Sequence, residues 1–253
     1  MQKSRAETCA IAVMAKVPTP GKSKTRLLPI LSADQAASLS AAFLRDTTEN
    51  IARAARDAAI DGHVAYAPSG LAHLFEGHLA DGTKLLLADG SLTCPPNVRG
   101  FGACLYHAIV TLLDQGYGSA CVLNSDGPTL PTCQLTRAAE LLAADGDRVV
   151  IGPAEDGGYY LLGMKARHAQ LFADIDWSTD RVAAQTRARA VSLGLDTVFL
   201  DPWYDVDEPA ELQRLIAELE RPAPRGARGI FPAPATAHCL DRLGLRHALR
   251  ATG

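Results

Sequence analysis

Four short segments carry residue types that could do phosphate and carboxylate chemistry. The first is Met14-Ala-Lys-Val-Pro-Thr-Pro-Gly-Lys-Ser-Lys-Thr-Arg26. Two prolines restrict its backbone, Pro20 next to Gly21 allows a tight approach, and Lys16, Lys24 and Arg26 can meet phosphate oxygens. Gly21-Lys22-Ser23 looks like the end of a P-loop, but the first P-loop glycine would fall at Lys16, so a Walker A site is excluded. The second segment is Val122-Leu-Asn-Ser-Asp-Gly-Pro-Thr-Leu130. Asp126 could hold a divalent cation there, with Ser125 as a phosphate contact, and an Asp-Gly turn is the competing reading. A serine nucleophile elbow is excluded because Leu123 stands where its first glycine belongs. The third, Gly152-Pro-Ala-Glu-Asp-Gly-Gly-Tyr-Tyr-Leu-Leu-Gly163, sets two acids before two glycines and two tyrosines. A hairpin explains the glycines but not the acids, so Asp156 is the candidate general base and Gly157, Gly158 and Tyr159 the candidate substrate contacts. In the fourth, Tyr204-Asp-Val-Asp-Glu-Pro209, alternate positions of a strand would aim Asp205 and Asp207 together at a metal. A helix cap at Asp207 explains the same residues equally well.

These segments need a scaffold, and the surrounding pattern supplies one. Cys9–Ala15 is a continuous apolar run, as for a strand covered on both faces. Ser32 and Gln35 form a capping box for a helix carrying Ala36, Leu39, Phe43 and Ile51. Strands are predicted over 63–67 and 120–123, and helices around Leu105–Leu113 and after Thr132. Val149–Ile151 and Tyr159–Leu162 are predicted as two strands joined by a hairpin-type connection. A helix from Ser178 to Gly194, a strand over Thr197–Leu200 and a helix opened by Pro209 follow. The sum is an α/β domain with a mostly parallel sheet and an antiparallel insertion, in which ligands bind at the carboxyl ends of strands.

Composition narrows the partners. The chain has 253 residues, 47% hydrophobic and 21% charged, with a net charge of −3. No apolar run is long enough for a membrane span, and six scattered cysteines without CxxC spacing suit reduced thiols in the cytoplasm. Seven histidines show no HxxxH or HxH pair, which argues against zinc. Residues 221–253 hold six Arg and a single Asp, so the rest is acidic and unsuited to general nucleic-acid binding. Within that acidic body, residues 10–33 contain no acid at all, which suits a small anionic ligand. Residues 221–235, with four Pro and three Arg, are predicted as a linker, and 236–250 as a short amphipathic helix.

Five ordered motifs carry a family resemblance across about residues 9–220. They are Met14-Ala-Lys-x-Pro-x-Pro-Gly-x-x-Lys-Thr-Arg-Leu27, Asn124-Ser-Asp-x-Pro-x-Leu130, Gly152-Pro-x-x-Asp-Gly-Gly-Tyr-Tyr-Leu-Leu-Gly163, Trp177-Ser-Thr179 and Asp205-Val-Asp207. Together they resemble the glycosyltransferase-A-like family of bacterial arsenosugar-biosynthesis-type glycosyltransferases, in the nucleotide-diphospho-sugar transferase superfamily. The resemblance implies a three-layer α/β/α, Rossmann-like GT-A fold over 1–220, with 221–253 as an appendage. It also implies a strand-1 loop against nucleotide phosphates and Asp126 at the position of the superfamily's metal-binding acid. Two departures stand out. Asn124 occupies the first acid position of a DxD motif, and in Arg99-Gly-Phe-Gly-Ala-Cys-Leu105 Gly100 and Cys104 replace an Asp and an Arg of many relatives.

The expected activity is transfer of a sugar from a nucleotide-diphospho-sugar to a small-molecule acceptor, assisted by Mg²⁺ or Mn²⁺ at Asp126, Asp205 and Asp207. The alternatives are a nucleotidyltransferase that joins an NTP to a phosphorylated acceptor with pyrophosphate release, and a non-catalytic nucleotide-binding protein. Homo-oligomer formation is left open.

Overall fold

The computed structural model describes residues 4–221 and 229–248. The chain runs β1 (Cys9–Ala15), α1 (Ala33–Ala54), β2 (Ile60–Tyr66), β3 (Lys84–Leu87), α2 (Phe101–Asp114), β4 (Ser119–Leu123) and α3 (Thr132–Ala143). It continues through β5 (Arg148–Pro153), β6 (Tyr159–Met164), α4 (Val182–Ser192), β7 (Asp196–Phe199), α5 (Pro209–Glu220), α6 (Pro234–Arg242) and α7 (Leu245–Ala248). The strands form one sheet in the order β3-β2-β1-β4-β6-β5-β7. Only β6 runs against its neighbours β4 and β5, so the expected antiparallel insertion is this strand. The turn over 154–158 is too short for a crossover, which forces the reversal.

The apolar strands are buried because helices cover both faces. Leu44 and Ile51 of α1 and Leu135 and Leu142 of α3 pack on Ile11, Val13 and Val150. Leu105, Ile109 and Leu112 of α2 and Ala190 of α4 pack on Ala10, Ala12, Ile151 and Leu162 from the other side. Burying each large aliphatic side chain contributes roughly 1.5–3 kcal/mol, so these two interfaces dominate the stability of the sheet. A third cluster joins the outer side of α1, through Leu39 and Phe43, to Leu212 and Leu215 of α5 and to Cys239 and Leu240 of α6. Asp46 of α1 accepts hydrogen bonds from the Ala235 and Thr236 backbone N–H groups at 2.9 and 2.6 Å, which caps α6 from a neighbouring helix. The capping box at Ser32 and Gln35 forms as the spacing predicts.

Several elements differ from the sequence expectation. The edge strand β3 was hidden because only Leu86 of its four residues is buried. The helix expected from Ser178 starts at Val182, since Ser178 has φ +63 and Thr179 Oγ1 donates to the Asp176 carbonyl in a turn. Asp205 and Asp207 do not lie on a strand: the segment between β7 and α5 is irregular apart from an isolated bridge between Ala154 and Trp203. Glu208, not Asp207, is the N-cap residue of α5, its backbone N–H donating to Glu211 at 2.9 Å. Of the linker expected over 221–235, residues 222–228 lie outside the described residues. The C-terminal helix begins at Pro234 and is interrupted around Gly244, which has φ +66. All six cysteines are free thiols, and no described helix is long and apolar enough to cross a membrane.

Candidate active site

The sheet order places a crevice between β1 and β4. From β1 the chain steps outward to β2 and β3, then returns to β4 on the other side of β1. Loops on either side of such a reversal leave room for a ligand at the carboxyl edge. The loops after β1, β4, β5 and β7 all emerge there, so the topology gathers all four sequence segments at one edge. A cavity of about 470 Å³ lies at the opposite edge, bounded by Thr8, Cys9 and Ser119, and none of the four segments reaches it.

The loop after β1 is a built turn. Ser23 Oγ accepts from the Thr19 N–H at 2.9 Å, while the Lys22 and Ser23 N–H groups donate to the Thr19 carbonyl. Gly21 has φ +72, where other residues are strained. Fully buried Leu27 anchors the far end of the loop. Lys16, Lys22, Arg26, Ser125 and exposed Phe101 line a chamber of about 340 Å³. Pro20 and Gly21 do not line it; they shape the turn that presents its neighbours. Lys22, one of the cations of the acid-free stretch that suits a small anionic ligand, joins Lys16 and Arg26 there.

Lys24 behaves differently from the other cations. Its backbone is left-handed, with φ +48, and its side chain is turned inward and only 6% exposed. The ammonium donates to Asp126 Oδ1, to the Val206 carbonyl at 2.8 Å and to Asp207 Oδ1 at 3.0 Å. The Phe43 ring lies 5.2 Å away on a further side. Burial works against the charge, but Asp126 and Asp207 outweigh it and raise the Lys24 pKa above its ordinary value. Val206 N–H donates back to the Asp126 carbonyl at 2.8 Å, which binds the loops after β4 and β7 to each other. Gly127 fits the same junction: a Cβ there would meet the Tyr204 carbonyl at 3.1 Å and the Trp203 ring at 3.2 Å.

Asn124 has a structural task at this junction. Its Nδ2 donates to Asp205 Oδ1 at 2.8 Å and its Oδ1 accepts from the Asp126 N–H at 3.3 Å. Asp205 is pushed up to about 7, first by burial and then by Asp126, with Asp156 and Asp207 adding and the Asn124 hydrogen bond opposing. An acid at position 124 would add another like charge to this group.

A second chamber, of about 420 Å³, shares Arg26 and Asp207 with the first. Glu155, Asp156, Asp205, Glu208, Glu211 and Arg214 complete its charged lining. Arg214 grips Glu155 with two hydrogen bonds of 2.6 and 3.0 Å and lies 3.8 Å over the Tyr204 ring. Glu155 was one of the two acids that a plain hairpin leaves unexplained, but Arg214 was not read as functional, since an exposed Arg and Glu 59 positions apart carry no local signal of their pairing. The two glycines after Asp156 line neither chamber. Gly157 has φ +89, and a Cβ there would come within 2.1 Å of the Asp180 carbonyl oxygen. Gly158 N–H closes a turn on Asp156 Oδ1 at 2.9 Å. Tyr159 also lines neither chamber; it packs against the core beneath α2 and α4, and its buried hydroxyl is raised out of its ordinary range by desolvation.

The carboxylates do not assemble into a metal cage. Asp126 and Asp207 are spanned by the Lys24 ammonium, and Asp205 is held by Asn124. Among the described residues no group of three or more His, Cys, Asp or Glu is arranged to hold a metal ion. Mg²⁺ or Mn²⁺ at these three aspartates therefore does not fit the arrangement of their side chains.

The fold and the crevice define a nucleotide-diphospho-sugar-transferase-like α/β protein. The chain belongs to the bacterial family described as an uncharacterized protein conserved in bacteria (DUF2064), whose model matches residues 50–179. It is similar to a provisionally named nucleotide-diphospho-sugar transferase from Desulfovibrio desulfuricans G20, with 27% identity, a TM-score of 0.79 and 97% of each chain covered. A cytidylyltransferase from Leptospira borgpetersenii shares the fold at 8% identity and a TM-score of 0.52, covering 96% of each chain. CMP:2-keto-3-deoxy-manno-octonic acid synthetase complexed with CTP does so at 13% identity and a TM-score of 0.50, over 82% of this chain and 96% of that one. No curated protein matches the sequence.

Proposed function

We propose that the protein is a glycosyltransferase that moves a sugar from a nucleotide-diphospho-sugar to a small uncharged acceptor. The observation that supports this most directly is the pair of adjoining chambers at the β1–β4 reversal, one lined mainly by cations, with Asp126 and Asp207 on the Lys24 side, and the other mainly by carboxylates. In this reading Lys16, Lys22 and Arg26 neutralise the diphosphate as it departs, and Ser125 adds a neutral hydrogen bond. Phe101, the most exposed aromatic ring at the rim, stands edge-on to Trp177 at 5.6 Å and offers a flat surface to the nucleoside. Asp156, exposed in the second chamber, takes the proton of the acceptor hydroxyl.

The same loops could handle an NTP, and the cytidylyltransferase likeness extends to the fold. The mainly acidic lining of the second chamber speaks against nucleotidyl transfer to a phosphorylated acceptor, because it would repel that phosphate. The deciding experiment incubates the purified protein with a panel of nucleotide-diphospho-sugars and hydroxylated acceptors, arsenosugar precursors included. A parallel set holds CTP or GTP with phosphorylated acceptors. Nucleoside diphosphate release that requires Asp156 supports glycosyl transfer; pyrophosphate release in the second set replaces it with nucleotidyl transfer. Binding of nucleotides with no turnover in either set would leave a non-catalytic binding protein.

A further inference from the structure

We infer that Lys24 supplies, from within the chain, the positive charge between Asp126 and Asp207 that a divalent cation would otherwise bring, so that this site takes its nucleotide without a metal. The inference rests on the reading of the basic chamber as the nucleotide site. Its own support is geometric. An ammonium has three N–H donors, and all three of Lys24's are used, on Asp126, Asp207 and the Val206 carbonyl. The Phe43 ring closes a further side, at 5.2 Å. A cation bound to the same carboxylate oxygens would sit at roughly 2.0–2.6 Å from them and so within a few ångströms of the buried ammonium. Two positive centres that close, with so little water between them, repel strongly. Lys24 would have to leave, yet its left-handed backbone aims it inward and its side chain is almost wholly enclosed.

Among the described residues the remaining acids offer no second cage. Asp205 is tied to Asn124, and Asp156 Oδ1 is turned onto the Gly158 N–H. The replacement of the first acid of a DxD pattern by Asn124 fits the same scheme, since that position now donates a hydrogen bond to a carboxylate where an acid could only accept. A consequence is a division of labour among the basic residues. Lys24 has no donor left for substrate, so contacts to the phosphates fall to Lys16, Lys22 and Arg26, which line the chamber and lie closer to solvent. Lys24 is in this sense a positioning residue: it holds together the loops after β1, β4 and β7.

The test titrates Mn²⁺ into the full chain and follows the free-ion signal by electron paramagnetic resonance. It then measures UDP, GDP and CDP binding in EDTA and in Mg²⁺. The wild-type chain is expected to leave Mn²⁺ free up to about 1 mM. Nucleotide affinity is expected to agree within about twofold between EDTA and Mg²⁺. Lys24→Met exposes the Asp126–Asp207 pair and is expected to bind one Mn²⁺, while Lys24→Arg stays silent. Stoichiometric Mn²⁺ binding to the wild type, or an affinity gain of about tenfold on adding Mg²⁺, overturns the proposal. If Lys24→Met does not fold, the wild-type and Lys24→Arg titrations still decide it. Failure of all nucleotides to bind, with and without metal, would instead sink the nucleotide reading, and the Mn²⁺ titration would still decide the role of Lys24.

Discussion

Side-chain and backbone packing around single residues explain choices in the motifs that their local sequence leaves ambiguous. Gly157 is one. Both its positive φ and the Asp180 carbonyl oxygen exclude a side chain, so the residue locks the β5–β6 turn against the start of α4. Ala183 N–H completes that contact by donating to the Gly157 carbonyl at 3.0 Å. Gly157→Ala is expected to cost about 2–4 kcal/mol, read from the urea midpoint, because the clash is with backbone and cannot be relieved by a rotamer change. Gly21→Ala meets nothing within 4 Å and carries only the positive-φ strain, so it should cost less. Lys24 is the opposite case. Its sequence neighbours mark it as one more loop cation, but its acceptors lie 102 and 183 positions away. No local pattern records such a pairing. Asp126 and Asp207 were legible as acids at strand ends, yet their common partner was not.

At the level of elements, strands buried on both faces announced themselves, and so did capped helices. β1, β4 and the β5–β6 pair read directly from apolar runs because both their faces meet helices. β3 did not, since an edge strand with exposed Lys84 and Leu85 has no reason to look apolar. The extended reading of 205–207 failed because that segment is held by side chains and by Trp203, not by a ladder. The tail shows a similar limit: a buried Asp in the middle of α1 serves as the cap of α6. Asp46→Ala is expected to cost about 1–2 kcal/mol and to make α6 more open to limited proteolysis, with Asp46→Asn intermediate.

Two buried groups give these elements a pH response of opposite signs. His63 of β2, with its Nε2 3.2 Å from the Tyr117 hydroxyl, is held down to about 4 by burial and then by the Lys84 ammonium. Between pH 6.5 and about 4 the unfolded chain binds a proton that the folded chain refuses, so stability falls as pH drops through that window. By pH 5 the loss reaches about 2 kcal/mol. Asp46 runs the other way. Burial pushes it up to about 6, against the N–H groups of Ala235 and Thr236, so stability falls as pH rises from about 4 to 6. The two partly cancel in the wild type. His63→Gln should therefore gain on the wild type by about 2 kcal/mol between pH 7 and pH 5, measured as the difference in urea stability.

Over the whole molecule, charge is distributed against the global balance. An acidic body carries one acid-free stretch, and the sheet puts the loop of that stretch at the edge where the loops after β4, β5 and β7 also emerge. Binding of a nucleoside diphosphate there should weaken about tenfold between 0.1 and 1 M salt, because the screening length shrinks from about 10 to about 3 Å. A fluorescence or calorimetric titration at several salt concentrations reads this directly, and a salt-independent affinity would place the phosphates away from Lys16, Lys22 and Arg26.

The ion pairs of Lys24 also impose an order on synthesis. A ribosome releases Lys24 about a hundred residues before Asp126, and Asp126 about eighty before Asp207. Until that last loop emerges, β1 can pair with β2 and later with β4, but the ammonium has only part of its shell. Until Asp207 emerges, the nascent chain thus carries an incompletely neutralised cation beside an unfinished sheet edge, a state exposed to misassembly and served by chaperones.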